Sequence, residues 1–171
     1  MAPDPFKMNR FEDDSHEHLP VEEDLPGSVV EWLAQDSRGH VALFTGVTET
    51  DVSASVLNEL DAHRRALGAI LGVAPTTRSV FGPPLPNERG ERWRAVVERG
   101  LFVFASHRSG GPYWIAEAPH LPIHVSDLPA LAGELLGRQP PVGLPFKHVA
   151  SLMPDALGLP PRTGMTGRRL S

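Results

Sequence analysis

Two pairs of β-prone runs, each pair joined by a handful of turn-forming residues, set the frame of this chain. Val29-Val30-Glu31-Trp32-Leu33-Ala34-Gln35 and His40-Val41-Ala42-Leu43-Phe44-Thr45 flank Asp36-Ser37-Arg38-Gly39. Leu101-Phe102-Val103-Phe104-Ala105-Ser106-His107 and Tyr113-Trp114-Ile115-Ala116-Glu117 flank Arg108-Ser109-Gly110-Gly111. Links this short make antiparallel hairpins, with Gly39 free to take a positive φ. Trp32 and Phe44 each stand on an alternating row of their run, which places them on one core-facing side of the first hairpin. Aromatic and β-branched density peaks in the second hairpin, the expected source of the central strands.

Helical spacing fills much of the rest. From Asp51 to Leu71, Val52, Val56, Leu57, Leu60, Leu67, Ile70 and Leu71 recur every three or four residues, opposite Glu59, Asp61, Arg64 and Arg65. Thr48 with Asp51, or Thr50, supplies a start signal and Gly72 a stop. Trp93, Val96 and Val97 mark a short helix ending at Gly100. A third helix is expected between Ser126 and Gly137, with Ser126 as its cap, Pro129 in its first turn and Leu128, Leu131, Leu135 and Leu136 on one side. Residues 75–90 read as an irregular Pro-rich connection, long enough to suggest a binding surface. One more strand is expected around Phe146 to Leu152. The order hairpin, helix, helix, hairpin, helix predicts the α+β class: an antiparallel sheet built from two hairpins, with two to three helices on one side.

Charge divides the chain into three parts. Residues 1–26 hold eight acids against Lys7 and Arg10, a balance of −6, whereas the whole chain carries −5. The body is therefore close to neutral and the leader supplies the negative charge. With no helical or strand period, residues 1–26 are expected to be an acidic, disordered arm. Residues 27–159 are expected to form a single domain, and 160–171, with Arg162, Arg168 and Arg169, a flexible basic tail. The leader lacks the basic start and apolar run of a signal peptide, and the longest apolar stretch, Ala66 to Ala74, is too short to span a bilayer. A cytoplasmic protein with no membrane partner is expected.

Chemistry is harder to find. The chain has no cysteine, which removes disulfides, thiolate catalysis and cysteine-ligated metals. No Gly-rich phosphate loop, GxSxG or HExxH occurs. His120 and His124 would stand about 13 Å apart in an extended segment, too far for one ion. His16 and His18 flank Glu17 in the leader without a third ligand. His63, close to the apolar stripe of the first helix, reads as a boundary histidine with one hydrogen bond. Ser106, His107 and Ser109 cluster at a turn without an orienting group that spacing can reveal. Neither a metal nor a cofactor is expected. Six arginines between Arg78 and Arg108 are interleaved with Glu88, Glu91 and Glu98, which argues for a solvated surface and against a nucleic-acid partner.

The segments VVEWLAQDSRGHVALFT and ERGLFVFASHRSGGPYWIAEAPHLPIHVSDLP resemble small uncharacterised proteins of GC-rich bacteria, some of which are immunity proteins that neutralise a toxin from a neighbouring gene. The resemblance implies a protein-binding role and carries over no catalytic residue. Three readings follow from the sequence. The first is a binding module that inhibits a partner toxin or effector, contacting it through Glu12, Asp13, Asp14, Glu22, Glu23 and Asp24 of the leader and through Tyr113 and Trp114. The second is a small hydrolase using His107, His120 or His124 with Glu117. The third is an accessory subunit whose tails dock on a larger assembly. The oligomeric state is left open.

Overall fold

A computed structural model describes residues 29–47, 52–82, 88–106 and 111–157. The leader 1–26 and the tail 160–171, with the site residues expected there, lie outside the described residues, as do Thr48, Thr50, Asp51 and His107. The described residues form strands β1 (Val30–Gln35), β2 (Val41–Val47), β3 (Ser79–Phe81), β4 (Phe102–Ser106), β5 (Tyr113–Pro119) and β6 (Ser151–Leu152). The α-helices among them are α1 (Ala54–Leu57), α2 (Leu60–Leu71), α3 (Glu88–Val97) and α4 (Ala130–Gly137). The class is α+β, and no helix among the described residues is long and apolar enough to cross a membrane.

Both hairpins form as their turns dictate, β1 with β2 and β4 with β5. The sheet, however, is mixed. Its order is β1-β2-β4-β5-β3, with β6 also paired to β5, and β2 runs parallel to β4 from Ala42 opposite Phe102 to Thr45 opposite Ala105. The expectation of a purely antiparallel sheet fails at this seam. Short turns fix pairing within each hairpin, but the chain between β2 and β4 passes through α1, α2, β3 and α3, and a long helical connection of that kind permits parallel neighbours. Strand β4 is buried along its whole length, as a continuous apolar run between covered faces should be.

The two sides of the sheet are covered differently. On one, Trp32 stacks on Phe44 with centroids 4.5 Å apart, Phe44 stacks on Phe104 at 5.3 Å, and Phe146 closes the cluster edge-on to Phe44 at 5.9 Å. On the other, Leu33, Leu43 and Val103 meet Leu67 and Ile70 of α2, Val96 and Val97 of α3, and Leu135 and Leu136 of α4. Helices α2, α3 and α4 thus share one side.

The long amphipathic segment is two helices rather than one. Ser53 caps α1 by accepting the Val56 N–H at 3.4 Å, and Asn58 and Glu59 separate α1 from α2. Val52 and Val56 pack on the aromatic side of the sheet, Leu67 and Ile70 on the helical side. A straight helix cannot reach both faces, so the chain breaks where it rounds the margin at β1. The third helix is also shorter than its leucine spacing suggests. Leu128, preceding Pro129, is held extended at ψ 158°, and a 3₁₀ turn at Val125–Asp127 comes before α4. His124 caps that 3₁₀ turn by accepting the Ser126 N–H, whereas α4 itself has Pro129, not Ser126, at its N-cap and no side-chain cap. In the Pro-rich connection, β3 is a strand that the sequence did not announce. The expected strand near 146–152 is a 3₁₀ turn at Phe146–His148 followed by the two-residue β6.

Candidate functional site

Asp36 ends β1 and is buried. Its Oδ1 accepts the N–H groups of Arg38 and His40, both at 2.9 Å, and its Oδ2 accepts the Phe146 N–H at 2.9 Å. One carboxylate therefore shapes the first turn and ties down the segment that caps the aromatic cluster. His40 Nδ1 lies 3.7 Å from Asp36 Oδ2, and the His40 ring rests near Phe102.

His124 pairs with His40 in an isolated antiparallel bridge, and its ring covers Gly39 so closely that a Cβ there would meet Nε2 at 2.2 Å. Its Nδ1 lies 2.7 Å from Ser126 Oγ and accepts the Ser126 N–H at 3.1 Å. His120 is exposed, and its backbone N–H donates to the Arg78 carbonyl at 2.8 Å on the side of β3. The two histidines thus attach to opposite parts of the sheet, with β4 and β5 between β2 and β3. Among the described residues, no group of three or more His, Asp or Glu side chains could hold a metal ion.

Glu117 is a buried carboxyl whose pKa is raised. It is only 2% exposed, opposite Val103 on β4 where β5 bulges by one residue. Its Oε1 accepts from Arg94 Nη2 at 3.2 Å, while Oε2 is buried without a hydrogen-bond partner. Burial raises its pKa, Arg94 opposes the rise and Glu98 adds to it. Gly82, at φ +147°, lays its backbone against the side chain, and a Cβ there would come within 2.4 Å of Glu117 Cγ. Glu117 is not joined by His120 or His124, whose polar contacts lie elsewhere.

His63 is buried, not at a boundary, and it makes two hydrogen bonds rather than one. Nδ1 accepts the Leu33 N–H at 3.0 Å, and Nε2 lies 3.0 Å from the Gln139 carboxamide. An imidazole that accepts at Nδ1 carries its single proton on Nε2, so the amide must present its oxygen there. Desolvation pushes the His63 pKa down to about 4; Glu59 opposes the fall and Arg138 reinforces it. The spacing three residues after Leu60 and four before Leu67 puts the ring on the buried stripe of α2 itself rather than at its margin.

Of the two aromatic contact candidates, Tyr113 is buried in the core, edge-on to Phe44 at 5.3 Å. Trp114 points the other way and is 47% exposed. It pairs with Ser151 of β6, two residues before Met153, which is 54% exposed. Trp114 on β5 and Met153 just past β6 are both exposed apolar side chains. Val80 and Phe81 of β3 are also more than half exposed, at the other end of β5. Compared with family models, curated proteins and solved structures, the chain matches none.

Proposed function

We propose that the protein is a non-enzymatic binding module, most concretely a cytoplasmic inhibitor of a toxin or effector. The observation that supports this reading best is Trp114. An exposed indole on a paired hairpin strand, next to the buried Tyr113 in sequence, is an apolar anchor with few rotatable bonds to immobilise on binding. The choice of a toxin as partner rests on the resemblance of the two hairpin segments to immunity proteins. An inhibitor works by occlusion, so the surface around Trp114 needs shape and area rather than reactive groups.

The test is co-expression with the polypeptide encoded beside this gene, together with calorimetric titration of the two purified proteins. The expected result is restored growth, a stoichiometric complex, and an affinity lowered by at least about 30-fold in Trp114→Ala, the scale of an interface hot spot near 2 kcal/mol. Absence of both protection and a complex would overturn the inhibitor reading. A complex unaffected by Trp114→Ala would move the interface away from this side chain.

A further inference from the structure

The outer margin of β1 is held at two points. The Leu33 N–H donates to His63 Nδ1, and the Gln35 carbonyl accepts the Val142 N–H at 2.8 Å. From Val29 to Glu31, no described residue outside the hairpin makes a backbone hydrogen bond to the strand. Of the two ties, only the one through His63 can be broken by a proton. A neutral imidazole accepts at one nitrogen and donates at the other, whereas an imidazolium carries N–H at both and accepts at neither. Protonated in place, His63 would set a donor against the Leu33 N–H at 3.0 Å. It would also put a cation in the first turn of α2, whose positive end disfavours one. The ring must leave Leu33 in order to charge.

Space and a counter-ion both lie beside it. A cleft of about 190 Å³ borders the ring, between β1 and α2. Glu59, the N-cap of α2, stands four residues before His63 and therefore on the same side of the helix, and its charge favours the imidazolium. Arg138 donates to Glu59 at 2.8 Å and holds its carboxyl below the ordinary range, so Glu59 stays ionised while a histidine gains its proton. The remaining polar and charged neighbours are Gln139 after α4, Arg64 on α2, Glu31 on β1 and Arg92 on α3, the last two paired with each other at 3.2 Å.

We propose that His63 is a proton-operated latch: on acidification its ring leaves Leu33 for Glu59, and the outer margin of β1 opens from Val29 to Leu33 while the rest of the sheet stays closed. Burial, which pushes the His63 pKa down to about 4, keeps the latch shut at neutral pH. The tie between Gln35 and Val142 contains no titrating group and pins the far end of the strand, so the opening is local. This inference is independent of the inhibitor reading, because it concerns the opposite margin of the sheet from Trp114.

Amide hydrogen exchange on the full chain, followed residue by residue by NMR and corrected for the intrinsic effect of pH, tests the latch. Between pH 7 and pH 4.5 the protection of the Leu33 amide should fall about 50-fold, because an opening that frees a histidine of ordinary pKa 6.5 is favoured progressively below that value. The amides of Leu43 and Phe44, buried in the middle of the sheet, should keep their protection. In His63→Gln, which accepts but does not titrate, Leu33 protection should be independent of pH. In Glu59→Gln, which leaves the bond to Leu33 in place and guards against misfolding of the first variant, the fall should begin at lower pH, since the counter-ion is gone. Leu33 protection that holds to pH 4.5, that is lost in step with Leu43 and Phe44, or that falls at the same pH in Glu59→Gln would overturn the proposal.

Discussion

The backbone N–H of Leu33 donates to Nδ1 of His63 at 3.0 Å, so a side chain of α2 occupies a ladder position on the outer strand of the sheet. Edge strands are open templates for further pairing, and natural sheets cover or interrupt them. His63 does this with an acceptor, which leucine or alanine cannot provide.

Replacing His63 with Leu should therefore cost about 2–3 kcal/mol, because a buried N–H loses its partner while the ring volume is only roughly conserved. Urea unfolding at pH 7 measures the cost. His63→Gln, which retains an acceptor, should recover part of it.

The same residue sets an acid limit. Its pKa is about 4 in the folded chain against 6.5 for an ordinary histidine, so between those values the unfolded chain binds more protons. Stability is fully present above pH 6.5 and is lost as pH falls toward 4, on the order of 3 kcal/mol in total. Unfolding curves at pH 7 and pH 4.5 should show this slope, and it should flatten in His63→Gln. An unchanged slope in that variant would assign the acid sensitivity to other groups.

Glu117 works in the opposite sense. Its carboxyl is raised by burial, so the folded chain holds its proton to higher pH than the unfolded one, and the stability it contributes declines as pH rises from the ordinary carboxylate range. Glu117→Gln keeps a hydrogen-bond acceptor for Arg94 and removes the buried charge. Its melting temperature at pH 8 should equal or exceed that of the parent, with the difference shrinking at pH 5. A large loss at pH 8 would show that the ion pair with Arg94 outweighs desolvation.

Asp36→Ala removes three acceptor contacts at once, those to Arg38, His40 and Phe146. A loss of about 3 kcal/mol or more is expected, since hydrogen bonds to charged groups contribute about 1.5–3 each and do not add fully. Hydrogen exchange should accelerate most at the Phe146 amide, where the carboxylate spans 110 residues of sequence.

Much of this was legible from pattern. The hairpins, the aromatic row through Trp32 and Phe44, and the helices carrying Leu67 and Trp93 followed from period and turn chemistry. The parallel seam did not, because nothing local to Ala42 or Phe102 specifies a neighbour across so long a connection. The break at Asn58 was hidden because Val56 and Leu67 continue one helical period while serving opposite faces. Buried polar groups were the least readable: Asp36 looks like an ordinary turn residue, and only its contact with Phe146 shows that it also anchors a distant segment. Trp114 and Tyr113 could be nominated together, but their alternation means that only one can face solvent.

The pairing of β2 with β4 has a kinetic consequence. Each hairpin closes over a few residues and can form quickly, whereas Ala42 and Phe102 must find one another across the intervening helices. Until they do, the two hairpins are separate pieces, and Phe102, Val103 and Phe104 present apolar side chains on both faces of an uncovered strand. The window before this seam closes is when the chain is most exposed to aggregation, and synthesis from the N-terminus prolongs it, because β2 emerges well before the strand it must join.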